Sequence, residues 1–180
     1  MLIRAASLSL LMVFASPMEV DAATRGQSQG HPASPLSHYD RMLIASCLVL
    51  EASGDGREGM QAVLNVIHNR AGHDLKRMIP VMLRPKQFSS LNSVTGRSQP
   101  DYSRLLQRAM RDPHFNEAYR LVLELEHGDL PDNTFGADHF YSGRSPYWAK
   151  QMRFRVTVGS HRFYSSRPAS AQGRQYVVHP

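Results

Sequence analysis

Three observations predict an α+β domain with its helices first. Between Ser37 and His127 the apolar residues fall in four segments suited to helices, and after Pro131 the pattern changes to short aromatic and β-branched runs. Gly159-Ser160 separates the last two of these runs, as a hairpin turn would. The expected architecture is a single domain with a short β-hairpin or sheet near the C-terminus.

The first helix starts at a capping pair, Ser37 and Asp40. The apolar run Met42 to Leu50 behind it suits a buried helix that ends near Glu51, and Ser53-Gly54-Asp55-Gly56 then turns the chain. A second helix is predicted over Arg57 to Arg70. Met60, Val63, Leu64 and Ile67 form its core face, Gln61, Asn65, His68 and Asn69 gather elsewhere on the surface, and Gly72 terminates it. Residues 89–100 are polar and read as a long surface loop bordering a cleft. Two further helices are expected over Asp101 to Arg111 and Pro113 to His127. Asp112 caps the second, Ala118, Leu121, Val122 and Leu125 face inward, and Gly128 closes it. The strands are Asp138 to Tyr141, Phe154 to Val158 and His161 to Tyr164.

Arg4, the largely apolar run Ala5 to Ala15, and Val20-Asp21-Ala22-Ala23 read as a secretory signal over residues 1–22, too short to span a bilayer. Residues 23–36 have almost nothing to bury and read as a disordered spacer; 37–166 form the domain and 167–180 a flexible tail. The protein is therefore expected in the periplasm or secreted. Loss of Arg4, Glu19 and Asp21 with the signal takes the formal net charge from +6 to +7. Such a basic exported chain is drawn to wall carboxylates, wall polymers or lipopolysaccharide rather than to nucleic acid. The lone Cys47 excludes an internal disulfide framework and sits in an apolar run, so stability must come from packing.

Glu51 is the candidate catalytic residue. A carboxyl group carried to the end of an apolar helix loses solvation, which favours the neutral form that a general acid must present. A helix-end Glu that simply reaches water is the competing explanation. His139 and His161 near Asp138 raise the question of a zinc amidase, but they lack the close His pairs or the H-E-x-x-H helix of zinc peptidases. A cysteine peptidase would need an exposed, activated thiolate, which an apolar helix denies Cys47.

Several short patterns, in order, resemble the SleB/CwlJ-type cell-wall hydrolase family. They are Glu51-Ala52-Ser53-Gly54-Asp55, Gly59 with Ala62-Val63, Asn69-Arg70, Gln87-Phe88, Gly136-Ala137-Asp138-His139-Phe140-Tyr141, Trp148, and Gly159-Ser160-His161-Arg162-Phe163-Tyr164. The resemblance covers residues 40–165 and implies a lysozyme-like fold, peptidoglycan as substrate, and Glu51 as the catalytic acid. It further implies lytic transglycosylation, in which one Glu suffices and neither metal nor other cofactor is required. Asp55 stands where family members often carry a second Glu; its shorter side chain suits a turn or a cap of the next helix, and ordinary hydrolysis becomes available if it reaches the cleft.

Asn69, Gln87, Phe88, His139, Tyr141, Trp148 and His161 are the substrate-binding candidates. Asn69 also fits a helix cap, Phe88 the core, Trp148 burial, and the two His a hydrogen-bonding scaffold. The expected function is thus cleavage of the β-1,4 bond between N-acetylmuramic acid and N-acetylglucosamine by a monomer. The alternatives are a non-catalytic peptidoglycan-binding module and a zinc-dependent amidase. Unrestrained wall cleavage is lethal, which calls for a regulatory protein, although no residues mark one.

Overall fold

The computed structural model describes residues 35–98 and 100–166. The segments read from the sequence as signal and tail, and nearly all of the one read as spacer, lie outside these residues. Leu36, assigned to the spacer, is instead 3% exposed and packs into the core, so the folded domain begins at least one residue before Ser37.

Helix α1 spans His38–Ala52. Its start is a full capping box: the Ser37 hydroxyl accepts from the Asp40 N–H, and the Asp40 carboxylate accepts from the Ser37 N–H at 2.9 Å. The apolar run makes α1 the central helix, with Leu43 to Val49 buried because α2 (Gly56–Arg70), α4 (Ser103–Met110) and α5 (Phe115–His127) all pack on it. The short α3 (Met78–Met82) supplies Met78, Val81 and Met82 to the same core and was not foreseen from the sequence. Helix α5 begins at Phe115, later than Pro113, because Asp112 uses its side chain on the His114 N–H and its carbonyl on the Phe115 N–H. Gly128 closes it at φ +79°, in the left-handed cap conformation glycine favours.

Strands β1 (His139–Ser142), β2 (Arg153–Val158) and β3 (His161–Ser165) form one antiparallel sheet in the order β1-β3-β2, with Gly159-Ser160 turning β2 into β3. Phe140 opposes Phe163, and Val156 opposes Phe163 from the other side. These residues, with Val158, close a second small core over Ala62 and Val66 of α2. His139 and Phe154 both oppose Tyr164, so alternation puts these side chains and Tyr141 on the other face.

Helix α2 is buried on two sides, which corrects the expectation that Gln61, Asn65 and Asn69 lie on the surface. They are 9%, 2% and 4% exposed. Residues 131–137 have no ladder to satisfy their carbonyls, and this row of amides supplies the donors. Gln61 Nε2 donates to the Pro131 carbonyl at 2.8 Å, Asn65 Nδ2 to the same carbonyl at 3.1 Å, and Asn69 Nδ2 to the Ala137 carbonyl at 2.9 Å. The periodicity showed three polar positions; that a loop distant in sequence would cover them was not visible in it.

Candidate active site

Glu51 occupies the last turn of α1, half-buried, where the apolar helix meets the residues 89–91 turn. The Ser90 N–H, unpartnered by its own short turn, donates to Glu51 Oε1 at 2.7 Å. The Ser89 hydroxyl lies 3.1 Å from Oε1 and 3.3 Å from Oε2. Oε1 is therefore fixed by two donors, and Oε2 is the less constrained oxygen. Ser89 and Ser90 were missed as site residues because the sequence around them reads simply as polar loop.

Asp55 lies at the first residue position before α2, yet its side chain does not cap the helix. It accepts instead from the Ser160 N–H at 2.9 Å, the Ser160 hydroxyl at 3.0 Å and His161 Nδ1 at 2.6 Å. This corrects the capping expectation: the carboxylate ties the start of α2 to the β2–β3 turn. Burial raises the Asp55 value, and the hydrogen bonds from His161 and Ser160 outweigh it and hold the carboxyl below its ordinary value. The approach is close enough to exclude side chains on both sides. A Cβ at Gly59 would stand 2.4 Å from Asp55 Cβ, and one at Gly159 would stand 2.3 Å from Asp55 Cγ.

The remaining candidates separate by depth. Asn69 is buried with its amide committed to residues 131–137, and Phe88 is 2% exposed under the Arg70 guanidinium, which lies 5.2 Å from its ring centre. Both therefore sit in the framework, away from a glycan-contacting surface. His161, 7% exposed, packs edge-on against Phe140 at 5.3 Å on the inner face of the sheet. Gln87 is exposed beside Phe88.

His139, Tyr141 and Trp148 gather on the outer face. Tyr141 stacks on Tyr164 at 5.7 Å, and Trp148 stands edge-on to both tyrosines at 5.8 Å, with the His139 ring 5.4 Å away. Hydrogen bonds from Ser145 and Tyr164 pull the Tyr141 hydroxyl below its ordinary value, while the bond to Tyr141 pushes Tyr164 up. Phe88 and Arg70 lie between Glu51 and the inner side of the sheet, where Phe88 packs on Phe140 at 6.1 Å. Phe88 follows Gln87 and precedes Ser89, and Arg70 Nε donates to the Asp138 carbonyl at 2.5 Å, next to His139. Burial lowers the Arg70 value, opposed by the negative charges of Asp138 and Glu51.

Asp138 accepts from His139 Nδ1 at 2.9 Å, from the Ser166 N–H at 2.8 Å and from the Ser166 hydroxyl. Burial raises its value, and these bonds overcome it to leave the carboxyl at about 2. A carboxyl depressed in the folded state stabilises above its unfolded value and loses that contribution as pH falls through the folded one. Stability should fall by about 1–2 kcal/mol between pH 4 and pH 2 through Asp138, and Asp55 acts in the same direction. Thermal unfolding across that range tests this: Asp138→Asn should flatten the profile, and an unchanged slope would refute the assignment.

The Asp55–His161 and Asp138–His139 pairs are each two-membered. Among the described residues no three His, Cys, Asp or Glu side chains converge as a metal site would require. Cys47 is fully buried, and burial pushes its thiol well up. No helix among the described residues is long and apolar enough to cross a membrane.

The fold is similar to that of the catalytic domain of the germination-specific lytic transglycosylase SleB from Bacillus anthracis. The TM-score is 0.55 at 20% sequence identity, over 75% of this chain and 100% of that one. No curated protein sequence matches the chain. Residues 54–164 match the sequence profile described as Cell Wall Hydrolase; Glu51 falls just before the matched span, while the Asp55 tie, the aromatic face and the whole sheet through Tyr164 fall within it. A match over more than half of the sequence, on this helix-and-sheet frame, places the chain in the cell wall hydrolase family.

Proposed function

We propose that this cell wall hydrolase is an exported lytic transglycosylase that cuts the β-1,4 bond between N-acetylmuramic acid and N-acetylglucosamine, with Glu51 as acid and then base. The observation that carries the reading is the Glu51 carboxyl group, held at Oε1 by the Ser90 N–H while Oε2 is less constrained. The name of the SleB structural neighbour, a lytic transglycosylase, points the same way.

Protonated Oε2 donates to the glycosidic oxygen as its bond to the muramic C1 breaks. The 6-hydroxyl of the same sugar forms the new bond to C1, and its proton passes to Glu51, restoring the acid. The tethered hydroxyl is already at high effective concentration, so no second carboxylate is needed to activate water. Asp55, the neighbouring carboxylate in sequence, is committed to Ser160 and His161, which favours this route over hydrolysis. The outer aromatic face offers Trp148 and Tyr141 as stacking surfaces for sugar rings with His139 as a polar partner, and exposed Gln87, two residues from Ser89, is a polar candidate on the Glu51 side.

Mass spectrometry of the fragments released from purified sacculi tests the reaction. Anhydro-ended muropeptides are expected. Products one water heavier would establish hydrolysis instead, and free peptides with intact glycan would establish an amidase.

A further inference from the structure

A pocket of about 510 Å³ opens beside Glu51. Its lining includes Leu50, the residue before Glu51, and Ser90, whose N–H holds Glu51, together with Arg97, Arg104 and Arg108. Arg104 and Arg108 are one turn apart on α4, so both point to one side of that helix. All three arginines are exposed, and none makes an ion pair within 4 Å among the described residues, whereas Arg41, Arg57 and Arg120 are each paired with a Glu. Asp101 is the one carboxylate in the lining, and its Oδ1 is turned to the Ser103 N–H at 2.9 Å. The pocket is thus a concave site with surplus positive charge, lined in part by the residue before Glu51 and by the residue whose N–H holds it.

Guanidinium groups bind carboxylates through paired, charge-assisted hydrogen bonds, and a concave cluster of them selects for an anion. We infer that this pocket takes the carboxylates of the peptide stem borne by the glycan being cut. The inference rests on the glycan-cleaving reading above. The stem leaves from the lactyl group of the N-acetylmuramic acid whose C1 reacts, so it starts within one sugar of Glu51. Two or three stem residues, at about 3.5 Å each, are enough to reach from there into a neighbouring pocket. The occupant is therefore a peptide carboxylate attached to substrate, and the arginines are specificity residues that do not touch the reacting atoms.

Binding of the full-length Glu51→Gln protein to purified sacculi reads this without turnover, so it stands or falls separately from the cleavage chemistry. The probe is native sacculi against sacculi whose stem carboxylates have been converted to amides, at physiological ionic strength. In the Glu51→Gln background, Arg97→Gln/Arg104→Gln/Arg108→Gln should weaken binding to native sacculi about tenfold and leave binding to amidated sacculi unchanged. Arg108→Gln alone should give a smaller loss of the same kind. Asp101→Asn, which keeps the acceptor for Ser103, should tighten binding to native sacculi by about twofold. An equal loss on both materials, or none on either, would overturn the proposal. So would loss of the arginine-dependent component after phosphate polymers are stripped from the sacculi, which would identify a wall phosphate as the anion.

Discussion

Glu51→Gln should lower the rate of glycan-strand cleavage by about 10³- to 10⁴-fold, the loss of a group that both donates and recovers a proton. The substitution is nearly isosteric. Its side-chain oxygen can still accept from the Ser90 N–H and the Ser89 hydroxyl, so the residues 89–91 turn keeps its position. The core of α1 lies on the buried residues Leu43 to Val49 and is untouched. Unfolding temperature and binding to sacculi should therefore match the wild type while fragment release disappears. Glu51→Asp should also lose most activity, because the shorter arm withdraws the carboxyl from Ser90 and from the bond to be cut. Retained release of fragments by Glu51→Gln, measured over the same time course, would remove Glu51 from the chemistry.

The second large effect is on stability. Asp55→Ala removes three hydrogen bonds and leaves His161, 7% exposed, without its carboxylate. The expected cost is about 3 kcal/mol, a drop in unfolding temperature on the order of 10 °C. Gly159→Ala should cost a comparable amount, since φ is +56° and the new methyl would overlap Asp55. Made together, the two should cost less than their sum, because Asp55→Ala vacates the space that the methyl needs. Below its lowered unfolding temperature, Asp55→Ala should cleave within about threefold of wild type. A protein that unfolds normally and yet has lost cleavage would instead make Asp55 a participant in the reaction, and with it restore hydrolysis as a mechanism.

Much of the frame was legible because it depends on short-range rules. Ser37 and Asp40 marked the start of α1, Gly128 the end of α5, and Gly159-Ser160 the hairpin, since caps and tight turns are set within a few residues. The ordered motifs over residues 40–165 pointed to the family that the profile match over residues 54–164 shows. Where the reading of Gln61, Asn65 and Asn69 failed, the cause was a partner 63 to 70 residues away. Polar periodicity on a helix marks a face without specifying whether water or a loop will cover it.

The candidate site divides along the same line. By itself the sequence determined the helices-then-strands order, the family, and Glu51 as a carboxylate stranded at the end of an apolar helix, because these are carried by local pattern and composition. Tertiary structure alone decided that Ser89 and Ser90 hold Glu51, that Asp55 is bound to Ser160 and His161, and that Asn69 and Phe88 are framework while Tyr141 and Trp148 share an open face. It also decided that three arginines with no local motif converge on one pocket beside Glu51. Each of these outcomes depends on which segments distant in the chain are brought within hydrogen-bonding or packing distance, and that is fixed by burial of the shared core rather than by the residues adjacent in sequence.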